Sequence, residues 1–131
     1  MAEKGAGILK MVWPESGPRP AGHYAPGMIS GGQVYVSGQL PMVDGQLAAG
    51  GIREQTRAAL ANVDAVLRAA GTDRGHVVMC RVYIPDIVYW QAANAEYAAF
   101  FGTHRPARVM VPSTGLHHGA LVEIEAVAEL A

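Results

Sequence analysis

At 131 residues the chain has room for one domain, 1–131, and folding should bury roughly two-thirds of its unfolded surface. Half of the residues are apolar and only 16% are charged, little for a small monomer that must cover itself with polar surface, so an oligomer is expected. Ten basic residues against eleven acidic ones give a net charge of -1, and they form no cluster or stripe, which disfavours a nucleic-acid partner held through phosphates.

The chain opens on Met1-Ala2-Glu3-Lys4, which lacks the regions of a secretory signal, and no later stretch approaches a membrane span. A cytoplasmic location and no membrane partner are expected. Ile8 to Trp13 reads as a short strand, followed by an irregular connector through Pro14, Gly17, Pro18, Pro20 and Gly22, so that 1–22 is strand plus connector. Gln33 to Gln39 is a second strand between the turn at Gly31-Gly32 and the break at Pro41, and Asp44-Gly45 marks another turn. Neither Gly31-Gly32 nor Gly50-Gly51 matches a phosphate-binding loop. From Gly51 to Ala70, Ile52, Leu60, Val63 and Leu67 fall on one helical stripe, and Gly71 ends the helix.

His76 to Ile84 alternates, with Val78, Cys80, Val82 and Ile84 set against Val77, Met79, Arg81 and Tyr83, and stops at Pro85-Asp86. Cys80, the only cysteine, excludes an intramolecular disulfide, fits a reducing compartment and reads as a buried, inert thiol. Val88 to Phe101 forms a second helix, with Trp90, Ala93, Tyr97 and Phe100 or Phe101 at core spacing and Gly102 at its end.

Two strands close the chain. In Leu121 to Val127 the period of two puts Val122, Ile124 and Ala126 on one face and Glu123 and Glu125 on the other. If Ala107 to Val111 pairs with this strand, Arg108 comes within reach of the glutamates. An arginine and a glutamate on one sheet surface can hold a carboxylate and direct a water. His117-His118 reads as a loop pair, because no further His or Cys completes a metal set. The order strand, strand, helix, strand, helix, strand, strand implies a mixed α+β sheet with two helices on one face. Low charge and paired carboxylates on the other face point to a second copy covering it, with Arg108 and the glutamates near that interface.

Val36-Ser37-Gly38-Gln39-Leu40-Pro41, Gln55-Thr56-Arg57 leading to Asn62-Val63 and Ala69-Ala70-Gly71, Asn94-Ala95-Glu96-Tyr97 with Phe100-Phe101, Pro106-Ala107-Arg108 and Val122-Glu123-Ile124-Glu125-Ala126 follow in order. In this order and spacing the chain resembles the RidA/YjgF family over roughly residues 20 to 130. The resemblance implies a chorismate-mutase-like α+β subunit in a homotrimer, with clefts between subunits. It also implies hydrolysis of small reactive enamines and imines, such as 2-aminoacrylate, to a 2-keto acid and ammonia, with no cofactor and no metal. On the family pattern Arg108 matches the arginine that pairs with the substrate carboxylate, and Glu123 the acid that positions or activates water. Tyr24 matches the cleft tyrosine, Ser37 the cleft serine with Gly38 beside it, and Asn94 a polar residue of the second helix near the site.

Departures bear on the same reading. Met110 stands where a cysteine is common, residues 109–118 differ from the founding branch, and Ala25-Pro26 replaces a typical Ser-Gln pair, so substrate preference is expected to move. The alternatives are a non-enzymatic trimer that binds a small carboxylate, and a pathway-specific relative that processes a different imine or enamine. The ribonuclease role attached to the family name is disfavoured by the balanced charge.

Overall fold

The computed structural model describes residues 8–131; Met1 to Lys4, read above as lacking a secretory signal, lie outside them. Strands β1 (Lys10–Val12), β2 (Gly27–Ser30) and β3 (Gln33–Gln39) form an antiparallel meander, and β4 (Met42–Val43) with β5 (Gln46–Leu47) is a small hairpin of its own. Helix α1 (Ile52–Ala69) crosses to β6 (Val77–Ile84), and helix α2 (Trp90–Phe101) crosses to β7 (Ala107–Pro112). Strand β8 (Glu123–Glu129) then inserts between β3 and β6, giving the sheet order β1-β2-β3-β8-β6-β7. Only β6 and β7 pair in parallel, as their helical crossover requires.

Both helices cover one face. Leu60, Val63, Val66 and Leu67 of α1 and Ala93, Tyr97 and Phe101 of α2 are buried against Val34, Val36, Val82, Ile84, Ile124 and Ala126. Each large side chain buried this way contributes on the order of 1.5–3 kcal/mol. Helix α1 stops where Gly71 takes φ +85° and the Thr72 N–H donates to the Leu67 carbonyl at 3.0 Å. Among the described residues no helix is long and apolar enough to cross a membrane.

The opposite face is open. Its registers align Met11, Met28, Tyr35, Val127, Met79 and Ala107 in one row across all six strands. Met11 is 56% and Tyr35 46% exposed, an apolar surface of the kind that marks a protein contact.

Four expectations need correction. Gly27–Ser30 is a strand that the sequence pattern did not reveal, and the Asp44-Gly45 turn sits in the β4–β5 hairpin. A register shift between Val77 and Met79 turns Val77 into the core and leaves Val78 43% exposed, so the alternation read for this strand holds only from Met79 onward. Helix α2 begins at Trp90, because Asp86 accepts the Val88 N–H at 2.9 Å and first winds Ile87–Tyr89 into a 3₁₀ turn. The last two strands do not pair. β6 lies between them, since β7 joins it through the α2 crossover while β8 starts on the far side, where Gln55 Oε1 accepts the Leu121 N–H at 2.8 Å.

Candidate active site

Arg108 and Glu123 therefore sit apart. Arg108 is in register with Cys80 and Glu123 with Tyr83, so two strand spacings and three residues separate them, roughly 14 Å between backbones. They also occupy opposite faces. Arg108 shares the helix-covered face with Cys80 and Met110, whereas Glu123 and Glu125 stand on the open one.

The arginine end is built on α2. Trp90, Asn94 and Tyr97 follow at i, i+4 and i+7 and so share one side of the helix, facing the start of β7. Asn94 Oδ1 accepts a hydrogen bond from Arg108 Nη1 at 2.8 Å. The guanidinium lies 4.8 Å from the ring centre of Tyr97 and 5.4 Å from that of Trp90, within cation–π range of both. Its long side chain is thus held in one place, with donors left over for an anion. Cys80 and Tyr97 lie beneath it, and burial pushes both the thiol and the phenol up, so neither ionises near neutral pH. The reading of Cys80 as inert stands on that burial.

The glutamate end is built on β3 and β8. After Val36 the β3–β8 register shifts, so the chain bulges at Ser37-Gly38 beside the start of β8. Gly38 has no side chain there because Glu123 occupies the space, and an added Cβ would stand 3.1 Å from Glu123 Cδ. Burial raises the Glu123 pKa above the usual carboxylate range; the neighbouring charge of Glu125 adds to this and His117 opposes it. Glu125 is differently placed, because the Tyr83 hydroxyl donates to it at 2.6 Å and Arg81 approaches to 3.7 Å. Two neighbouring glutamates thus divide their roles by environment.

Tyr24 is half exposed and lines the same groove as Gly38 and His117. Ser37 has a structural duty, for its Oγ donates to the Ala25 carbonyl at 2.7 Å and its N–H to the Pro26 carbonyl at 2.8 Å, tying the connector to β3. The structure thus gathers Tyr24, Ser37, Gly38 and Glu123 at one end and Arg108 with Asn94 at the other. The sequence pattern marks the caging aromatic residues only as core, although their spacing with Asn94 is visible in it. Glu125 as the neighbour that tunes Glu123, and Gln55 as the anchor of β8, come from the structure. The sign of the Gln55 role was its polar side chain on the buried side of α1. His117 and His118 lie with ring centres 3.8 Å apart and ring planes tilted by 44° at the groove edge, and no set of three metal-ligating side chains exists among the described residues.

Comparison with known proteins places this architecture. The chain is 35% identical over 123 residues to 2-iminobutanoate/2-iminopropanoate deaminase of Bos taurus, covering 92% of this chain and 90% of that protein. It is 36% identical over 123 residues to a RutC family protein of Pyrococcus horikoshii, covering 92% and 98%. The crystal structure of the E. coli YjgF gene product superposes with a TM-score of 0.86 at 34% identity, over 92% of this chain and 98% of that one. That of E. coli TdcF with bound serine gives 0.87 at 31%, over 93% and 99%. The family model of endoribonuclease L-PSP matches residues 14–130, and with these relatives it establishes that the chain belongs to the endoribonuclease L-PSP family, the YjgF/RidA proteins.

Proposed function

We propose that the chain hydrolyses small reactive enamines and imines of the 2-aminoacrylate type to 2-keto acids and ammonia, in clefts between the copies of a homotrimer. The observation that carries this reading is the division of the site: a caged arginine and a desolvated glutamate on opposite faces of one sheet. A substrate that touches both is held between two copies, Arg108 and Asn94 coming from one and Tyr24, Ser37, Gly38 and Glu123 from the next. The apolar row on the open face is the surface through which copies meet. Support from the comparisons is of the same kind, since curated relatives are named as imine deaminases and TdcF holds serine, a small amino acid with a carboxylate.

The chemistry follows from the side chains. Arg108 pairs with the substrate carboxylate through two parallel N–H donors, a contact lysine reproduces poorly. A water adds to the imine carbon and gives its proton to Glu123, whose raised pKa makes it a better base than an ordinary carboxylate. That proton passes to nitrogen, giving a carbinolamine; its hydroxyl proton then moves to nitrogen as the C=O bond forms and the C–N bond breaks, so ammonia leaves and the 2-keto acid keeps the oxygen of the water. General acid-base help of about 10² to 10⁴-fold is what such a step asks of the protein.

The test is hydrolysis of 2-iminopropionate generated in situ from alanine by an amino-acid oxidase. Wild type should accelerate it and Arg108→Ala should lose at least about tenfold in kcat/KM. An unchanged Arg108→Ala rate refutes the role of the arginine. Ligand-dependent thermal stabilisation without turnover would instead favour a carboxylate-binding trimer, the reading to which Met110 and the altered 109–118 segment lend weight.

A further inference from the structure

The groove that contains Tyr24 and Gly38 continues past them. Its volume is about 920 Å³, and it runs between the connector, the β4–β5 hairpin and α1. A three-carbon imino acid has six heavy atoms and occupies roughly 180 Å³ at the share a water takes in the liquid. The seven side-chain heavy atoms of a neighbouring Arg108, counted the same way, need roughly 200 Å³ more. In the single chain these two groups leave more than half of the groove unfilled.

The remaining walls expose more apolar than polar surface, although Glu15, Arg19, Asp44 and Asn62 are among them, and they are fixed. Trp13, Pro18, Leu40, Met42 and Val43 line them. The Arg19 guanidinium, which also lines the groove, sits 4.0 Å over the Trp13 ring centre and holds the ring in place. Asn62 Nδ2 donates to the carbonyls of Leu40 at 2.9 Å and Met42 at 3.0 Å, pinning the hairpin segment against α1. The wall is therefore preformed, as in sites that take an apolar ligand body next to a few polar groups. It also stays with one chain, because α1 packs on the helix-covered face while the neighbouring copy is assigned to the open one.

We infer that the preferred substrate is a 2-imino acid, or its enamine, with a long apolar or aromatic side chain that lies in this extension while its carboxylate and imine carbon stay at Arg108 and Glu123. The inference rests on the deaminase reading and deepens it from the three- and four-carbon compounds in the names of the curated relatives.

An amino-acid oxidase supplies the test, forming imines from alanine, leucine and phenylalanine, with hydrolysis followed in competition with semicarbazide. Wild-type kcat/KM should be at least about tenfold higher for the leucine and phenylalanine products. Ala58→Leu and Ala61→Leu place side chains into the groove from α1; Ala61 is exposed, so that variant keeps the fold. Each should remove about tenfold for the large imines and leave the alanine product within about twofold. Turnover of the alanine product with no preference for the larger ones, or equal loss on all three in both variants, overturns the inference alone. No turnover of any imine overturns the deaminase reading beneath it.

Discussion

In the proposed reaction Glu123 owes its basicity to what surrounds it. The side chain sits in the space that Gly38 leaves, is partly desolvated, and has Glu125 beside it on the same face, so its proton is bound more tightly than in water. Activity that needs this carboxylate ionised falls as pH drops through the raised pKa, which puts the acid limb of kcat/KM above the usual carboxylate range. Glu125→Gln keeps an acceptor for the Tyr83 hydroxyl but removes the repelling charge. That should lower the Glu123 pKa and move the limb to lower pH; a limb that stays in place or moves up contradicts the assignment. Gly38→Ala probes the same contact sterically. The new methyl meets the end of a flexible side chain, not backbone, so the fold absorbs it while the carboxylate swings away. The expected result is an unchanged melting temperature with kcat/KM down about 10²-fold, the usual effect of an ångström-scale misplacement. A fully active variant would remove Glu123 from the chemistry.

At the scale of elements, β2 shows where glycine serves packing. Gly27 is buried where β2 passes under α1, and a Cβ there would stand 2.8 Å from Val66 Cγ1 and 3.2 Å from Val12 Cβ. Gly27→Ala must push α1 off the sheet or bend β2, at about 1–3 kcal/mol. Thermal or urea unfolding should register this loss, and unchanged stability would mean that this contact relaxes freely. The same strand marks a limit of sequence reading. Gly27–Ser30 has four residues after a proline, too few to show a period, and it is a strand only because β1 and β3 hydrogen-bond to it from both sides. Elements long enough to repeat were legible: α1 through Leu60, Val63 and Leu67, and β8 through Ile124 and Ala126 against Glu123 and Glu125. The site was legible as residues and not as geometry. Arg108 and Glu123 stand out by type, but their separation depends on β6 lying between the last two strands, a long-range pairing that no local pattern encodes.

For the whole molecule, the proposed deaminase reading together with the opposite facing of Arg108 and Glu123 makes oligomerisation a requirement for chemistry. One copy alone presents two half-sites roughly 14 Å apart by backbone on two sides of a sheet. Arg108→Ala and Glu123→Gln should each be inactive as homotrimers, because every cleft then lacks one partner. Unfolding the two variants together in equal amounts and refolding them forms mixed trimers. In these, a cleft with its arginine from the Glu123→Gln chain and its glutamate from the Arg108→Ala chain is wild type in both groups. Random assembly gives that combination in about a quarter of clefts, so about a quarter of wild-type activity should return. If both groups of a site came from one chain, no mixed cleft would be intact and activity would stay at the level of the separate variants. The open face supplies the control. Tyr35→Glu places a charge in the middle of the apolar row and should yield monomers by light scattering, with each half-site folded and imine hydrolysis lost. An active monomer would show that one copy closes the distance by itself, and would move the search for the glutamate's partner to the Arg81 and Tyr83 side of the same sheet.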